Sequence, residues 1–138
     1  MSRLLALDVG DERIGVAVGD ETGTLARPLT TIRRVSGAQS YQKLAELIQL
    51  HDVSAIVVGL PLLPEGDRGK QVRSTEAYVR GLKMHISLPV CYWDERDSTR
   101  HARQIQHRTG DRRHSVDAVA AAVILQTYLD EGACDQGD

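Results

Sequence analysis

The sequence contains no phenylalanine, one tryptophan and two cysteines in 138 residues. Without phenylalanine the core has to be aliphatic, built from Leu, Val, Ile and Ala. Cys91 and Cys134 stand at no spacing that suggests a metal site or a disulfide framework, so free thiols in a reducing cytoplasm are expected. No apolar run approaches the roughly 20 residues that cross a bilayer, and no membrane association is expected. The first residues lack a long apolar segment with a small-residue cleavage site, so no secretory signal is expected either. A strong excess of one charge is also missing. The net charge is −2, which argues against a globally basic nucleic-acid coat.

The charge that is there is unevenly placed. From Arg96 to His114 there are six arginines and three histidines against two aspartates. From Asp130 onward there are four acids and no base. A basic segment beside carboxylates suits a site that holds phosphates and a metal together, although a solvated loop followed by a solvating tail has the same composition. The length suits one domain. Residues 1–131 are expected to form it, with 132–138 as an acidic, disordered tail.

Hydrophobic patterning supplies the elements. Residues 3–9 read as a buried first strand, and Arg13 to Gly19 alternates as a second, joined by a short turn. A third strand is expected from Leu25 to Arg33, with Pro28 marking an edge or a bulge. A helix follows from Ser36 to Leu50, with Ser36 or Ser40 as its cap. Val53 to Leu60 reads as a strand buried on both faces. Then come a helix from Lys70 to His85, a strand from Pro89 to Trp93, a helix from Thr99 to Gln106 capped by Ser98, and a polar loop from His107 to His114. A last helix, capped by Ser115, runs from Val116 to Leu129. This order predicts an α/β domain with a mixed five-stranded sheet, three antiparallel strands first, and helices on its faces.

Three acids stand where such a sheet places chemistry, beyond the carboxyl ends of its strands. Asp8 ends a core strand, where a carboxylate is costly unless a cation, a donor or a metal compensates. A turn-forming Asp before Gly10 is the simpler reading of that position alone. Asp117 is the one charge in an otherwise apolar helix until Asp130. Its place in the first turn is also explained by the helix dipole, which favours a negative charge there by about 0.3–1 kcal/mol. The fifth strand ends in Asp94-Glu95, and either acid could be the functional one, since neighbours in a strand point to opposite faces. Three carboxylates without clustered His or Cys suit Mg²⁺ or Mn²⁺. The chemistry they support is phosphoryl transfer or phosphodiester hydrolysis.

These stretches together resemble a known family. LALDVGDERIGVAVGD, VVGLPLLPEGDRG, DERDSTRHA and VDAVAAAVILQTYL, in that order, are similar to the motifs of the YqgF family, also called RuvX, whose members have a ribonuclease H-like fold. The resemblance implies a three-carboxylate nuclease site formed by Asp8, Glu95 and Asp117, with Asp8 bridging the metal ions. It thus favours Glu95 over Asp94. It implies trimming of the small-subunit ribosomal RNA precursor or, through kinship with RuvC, resolution of four-way DNA junctions. Two positions depart from the family pattern: Glu12 replaces a basic residue, and Asp97 an apolar one.

Candidate contacts to a phosphate backbone are Arg13, Arg68, Lys70 and Arg73, together with Arg96, Arg112 and Arg113. Each is also explicable as a solvated surface charge or, for Arg96, a structural ion pair. Gly10 either leaves the backbone open to a phosphate or serves the turn. Trp93 and Tyr92 could stack on bases or pack in the core.

The expected activity is therefore a divalent-metal-dependent endo- or exonuclease acting on structured RNA, with junction resolution as the alternative. A junction resolvase needs a symmetric homodimer to cut two strands, and no segment demands one. A non-catalytic assembly factor that binds nucleic acid is a third reading, and the presence of all three acids argues against it. Actin-like ATPases open on a similar strand and hairpin but need two such domains.

Overall fold

The computed structural model describes residues 3–61, 69–94 and 116–131. In chain order these form β1 (Arg3–Val9), β2 (Arg13–Gly19), β3 (Ala26–Arg33), α1 (Gln39–Leu50), β4 (Val53–Leu60), α2 (Lys70–Lys83), β5 (Val90–Asp94) and α3 (Val116–Glu131). The five strands make one sheet in the order β3-β2-β1-β4-β5. β1 pairs antiparallel with β2, and β2 with β3; β4 pairs parallel with both β1 and β5. This is the mixed α/β sheet that the pattern of strands and helices predicts. Pro28 lies on the edge strand β3, close to a register shift in the β2–β3 ladder, so it withholds no hydrogen bond from a central ladder.

Alternation along the strands builds two different cores. On one face, Leu5, Leu7, Ile14, Val16, Ile56 and Val58 pack with Leu44 of α1 and Val79 and Leu82 of α2. On the other, the sheet offers mostly small side chains, Ala6, Ala17 and Ala26, against Ala121, Ala122, Ile124 and Leu125 of α3. Small residues on both partners let α3 come close to the strands. That close approach brings the first turn of α3 to the edge where β1 ends.

Most boundaries fall where periodicity places them, within a residue or two. Helix α1 starts at Gln39, after the expected Ser36. Its N-cap is Ala38, which makes no side-chain cap, and Ser40 is instead buried inside the helix, where its Oγ accepts the Tyr78 hydroxyl at 2.8 Å. The expected serine cap is therefore replaced by a buried tertiary hydrogen bond. Cys91 is disulfide-bonded, against the expectation of free thiols, and its partner lies outside the described residues. Chain spacing carries no information about one bridge, which needs only proximity in space. The expected helix over 99–106, the loop over 107–114, the cap residues Ser98 and Ser115, and the tail over 132–138 also lie outside the described residues.

Candidate functional site

Asp8 faces the α3 side of the sheet, on the same parity of β1 as Ala6. In the β1–β2 ladder it stands opposite Gly15. At Gly15 the backbone of α3 meets the sheet: a Cβ there would run into the backbone carbonyl of Asp117. Only a glycine fits, and this contact carries Asp117 to Asp8's neighbour in the ladder. An isolated glycine within a strand signals such a close backbone approach. Gly15 could have been singled out from the sequence on that ground, and the reading of the motifs passes over it.

The charge of Asp117 acts on Asp8. Asp8 is pushed up from 3.8 to about 6, first by burial and then by the negative charge of Asp117. Among the described residues no donor reaches the Asp8 carboxylate. Asp117 has one: the Arg13 side chain, from the start of β2, donates its Nε–H to Oδ2 at 3.0 Å. Arg13 thus spans the mouth of the site and pairs with an acid.

The turn beside Asp8 is braced from the opposite side. The backbone N–H of Gly10 donates to the Arg13 carbonyl at 2.8 Å, closing the hairpin. A Cβ on Gly10 would lie 2.8 Å from that same oxygen, so the turn itself requires the glycine. Arg34 donates Nη1 to the Gly10 carbonyl at 3.0 Å and to Ser74 Oγ at 2.8 Å, and Nη2 to the Ser74 carbonyl at 3.0 Å. Gln71 donates from Nε2 to the Val9 carbonyl at 3.1 Å. Neither Arg34 nor Gln71 has a local sequence signal, because each acts through tertiary contacts alone.

Gln71 also anchors the first turn of α2 at the end of β1. Lys70 and Arg73 are exposed on that turn. A groove of about 410 Å³ runs past the β1–β2 turn, lined by Asp11, Glu12, Arg13, Arg33 and Arg34. A second cavity of about 830 Å³, lined by Arg34, Tyr41, Tyr78 and His85 among others, lies on the α1–α2 side and includes neither Asp8 nor Asp117.

The ambiguity at the end of β5 narrows. Tyr92 packs with the α1–α2 core and Trp93 with the α3 core, so both aromatics pack against core residues. Trp93 meets Tyr128 edge-on at 5.4 Å. Asp94 pairs with Leu60 and shares the parity of Val90 and Tyr92, which places it on the face opposite Asp8. Glu95, Arg68, Arg96, Arg112 and Arg113 lie outside the described residues. Among the described residues no three His, Cys, Asp or Glu side chains gather as a metal-holding set. Asp8 and Asp117 come together; the third expected acid is not among those described.

The RuvX family model, described as Holliday junction resolvase, matches residues 2–131. The chain belongs to the RuvX family. A RuvX relative from Thermoanaerobacter pseudethanolicus, named "Putative pre-16S rRNA nuclease", is 39% identical over 133 residues, covering 93% of this chain and 96% of the relative. One of the same name from Roseiflexus sp. is 42% identical over 132 residues, covering 93% and 94%. Among solved structures, RuvC of T. thermophilus in complex with a Holliday junction substrate superposes with a TM-score of 0.64 at 13% identity, covering 92% of each chain. A Fowlpox virus resolvase bound to Holliday junction DNA gives 0.55 at 10% identity, covering 94% and 97%. At such identities the likeness concerns the fold, which is ribonuclease H-like in this RuvX chain.

Proposed function

We propose that this RuvX chain is a divalent-metal-dependent nuclease that trims the precursor of small-subunit ribosomal RNA, with Asp8, Glu95 and Asp117 as its metal-holding acids. The observation that carries this reading is the meeting of Asp8 and Asp117 on one face, at the end of a central strand. A buried carboxylate with a second negative charge beside it, and without a donor among the described residues, fits a hard cation with oxygen ligands. Asp94 lies on the face opposite Asp8, which supports Glu95 over Asp94. The names of the RuvX relatives support precursor ribosomal RNA as the substrate.

Bound Mg²⁺ or Mn²⁺ would supply Lewis acidity and water activation for phosphodiester hydrolysis. The chain itself supplies positioning. Gly15 fixes the distance between strand and helix, and Arg34 and Gln71 fix the turn that follows Asp8. Arg13, Lys70 and Arg73 offer positive charge at the same edge, and Arg68, Arg96, Arg112 and Arg113 are proposed as further contacts to the nucleic acid. The family description favours a second substrate, the four-way DNA junction.

The test offers purified protein both a precursor ribosomal RNA and a four-way junction, with Mg²⁺, with Mn²⁺ and with chelator. We expect metal-dependent cleavage of the RNA, falling by about 100-fold or more in Asp8→Asn and Asp117→Asn. Preferential junction cleavage would transfer the assignment to the resolvase reading. Full activity in Asp8→Asn would overturn both.

A further inference from the structure

The Arg13–Asp117 pair has an unusual setting. Arg13 stands directly opposite Arg33 in the β2–β3 ladder, on the face that carries Asp8 and Asp117. Like charges directly opposite one another are unfavourable in a sheet. Arg13 offsets this by turning to Asp117, while Arg33 has no ion-pair partner among the described residues. The pair is only loosely held: the Arg13 side chain is 63% exposed and that of Asp117 30%. Exposed ion pairs contribute little and exchange readily. A divalent cation on the same carboxylate would repel the guanidinium more strongly than so exposed a pair holds it.

We propose that Arg13 is a two-position cation that couples metal loading to nucleic-acid binding. With no divalent ion bound, it neutralises Asp117. When a divalent ion takes Asp117, Arg13 is released beside Arg33. The two arginines then form an anion receptor in the groove that also contains Arg34, and a backbone phosphate of the nucleic acid fills it. Asp11 and Glu12 border the same groove and disfavour phosphate there while Arg13 is engaged elsewhere. This inference rests on Asp117 being a metal ligand, as argued above.

Two measurements test it on the full chain. In the first, Mn²⁺ binding is titrated by electron paramagnetic resonance. Arg13→Gln should bind Mn²⁺ about 3- to 5-fold more tightly than wild type, the range that loss of a competing exposed ion pair allows. Arg33→Gln, which removes an equal charge that does not touch Asp117, should change it less than about 2-fold. In the second, binding of a cleavage-resistant 2′-O-methyl RNA is followed by anisotropy. Arg13→Gln should weaken binding several-fold in Mg²⁺ and lower the salt slope by about 0.7–1, yet change little in chelator.

Weaker Mn²⁺ binding in Arg13→Gln, equal tightening in both arginine variants, or an equal loss of RNA affinity with and without Mg²⁺ would overturn the inference. Asp117→Asn separates the two levels. If it weakens Mn²⁺ binding while Arg13→Gln does not strengthen it, only the coupling is lost. If Asp117→Asn leaves Mn²⁺ binding unchanged, the metal site and the coupling fall together.

Discussion

Gly15 and Asp117 are in backbone contact: the glycine's missing side chain is the space into which the Asp117 carbonyl fits. Gly15→Ala therefore has to push the first turn of α3 off the sheet, because the Cβ is fixed rigidly to the strand and the atoms it meets are backbone of α3. A cost of roughly 1–3 kcal/mol is expected from overpacking at such a site. Asp117 moves with the turn, so Mn²⁺ affinity and cleavage should both fall by 10-fold or more, on the order of what misplacement of a catalytic group by an ångström costs. Gly19→Ala is the control. Its Cβ would meet Leu125 Cδ2 and the Leu4 carbonyl at 3.7 Å and Leu129 Cδ1 at 3.9 Å, ordinary contacts, so thermal unfolding should barely change.

Asp8 makes stability depend on pH in the direction opposite to a salt-bridged acid. Its carboxyl is raised to about 6 in the fold and returns to near 3.8 when unfolded. Between those values the folded chain holds more protons than the unfolded one, so stability falls as pH rises from about 4 to above 6. The loss attributable to this group is roughly 2–3 kcal/mol. Urea unfolding of metal-free protein across that range should show the decline, and Asp8→Asn should flatten it. Mg²⁺ added at pH 7.5 should restore stability to wild type and have little effect on Asp8→Asn. A wild-type curve that rises through the same range would refute the assignment.

Different parts of the site were legible to different degrees, and the reason is physical. Asp8 and Asp117 stand out because a charge at the end of an apolar run conflicts with burial, and such conflict is visible in one dimension. The strands were legible for the same reason, since alternation between two faces is local. The face taken by Asp94 was not, because parity assigns it only through the packing of Tyr92 and Trp93. Arg34, Gln71 and the Arg13–Asp117 pair join segments remote in sequence, and no periodicity reports such contacts. Helix α1 starts at Gln39 and not at the expected Ser36, and the candidate cap Ser40 serves Tyr78 rather than the helix end.

Arg34 should prove structural with a catalytic consequence. Its guanidinium donates to the Gly10 carbonyl and to two Ser74 oxygens, and lies 5.2 Å from the centroid of the Tyr78 ring. Arg34→Met keeps much of the packing volume and removes the charge-assisted donors. Loss of about 1.5–3 kcal/mol is expected in urea unfolding, since hydrogen bonds to charged groups are worth that much. The turn after Asp8 loosens at the same time, so cleavage should slow even under conditions where the variant is fully folded. Unchanged cleavage in folded Arg34→Met would show that Gln71 and the Gly10–Arg13 hydrogen bond suffice to hold the turn.

Helix α3 is pinned at two ends, and the far pin should affect stability without affecting chemistry. Gln126 is buried; its Oε1 accepts the Ala26 N–H at 3.0 Å, and its Nε2 donates to the Thr24 carbonyl at 2.9 Å and to Asp130 Oδ1 at 3.0 Å. Gln126→Leu fills a similar volume but provides neither donor nor acceptor to the strand that begins at Ala26. A loss of about 1–3 kcal/mol is expected from the buried polar groups left behind. Between this pin and the site lie Ala118, Ala121 and Ala122, all packed without exposure, and they hold the near end of α3 on the sheet independently. Mn²⁺ affinity in Gln126→Leu should accordingly stay within about 2-fold of wild type, as expected for distant sites that share no partner. A larger loss would mean that the far end of α3, and not the Gly15 contact, sets where Asp117 stands.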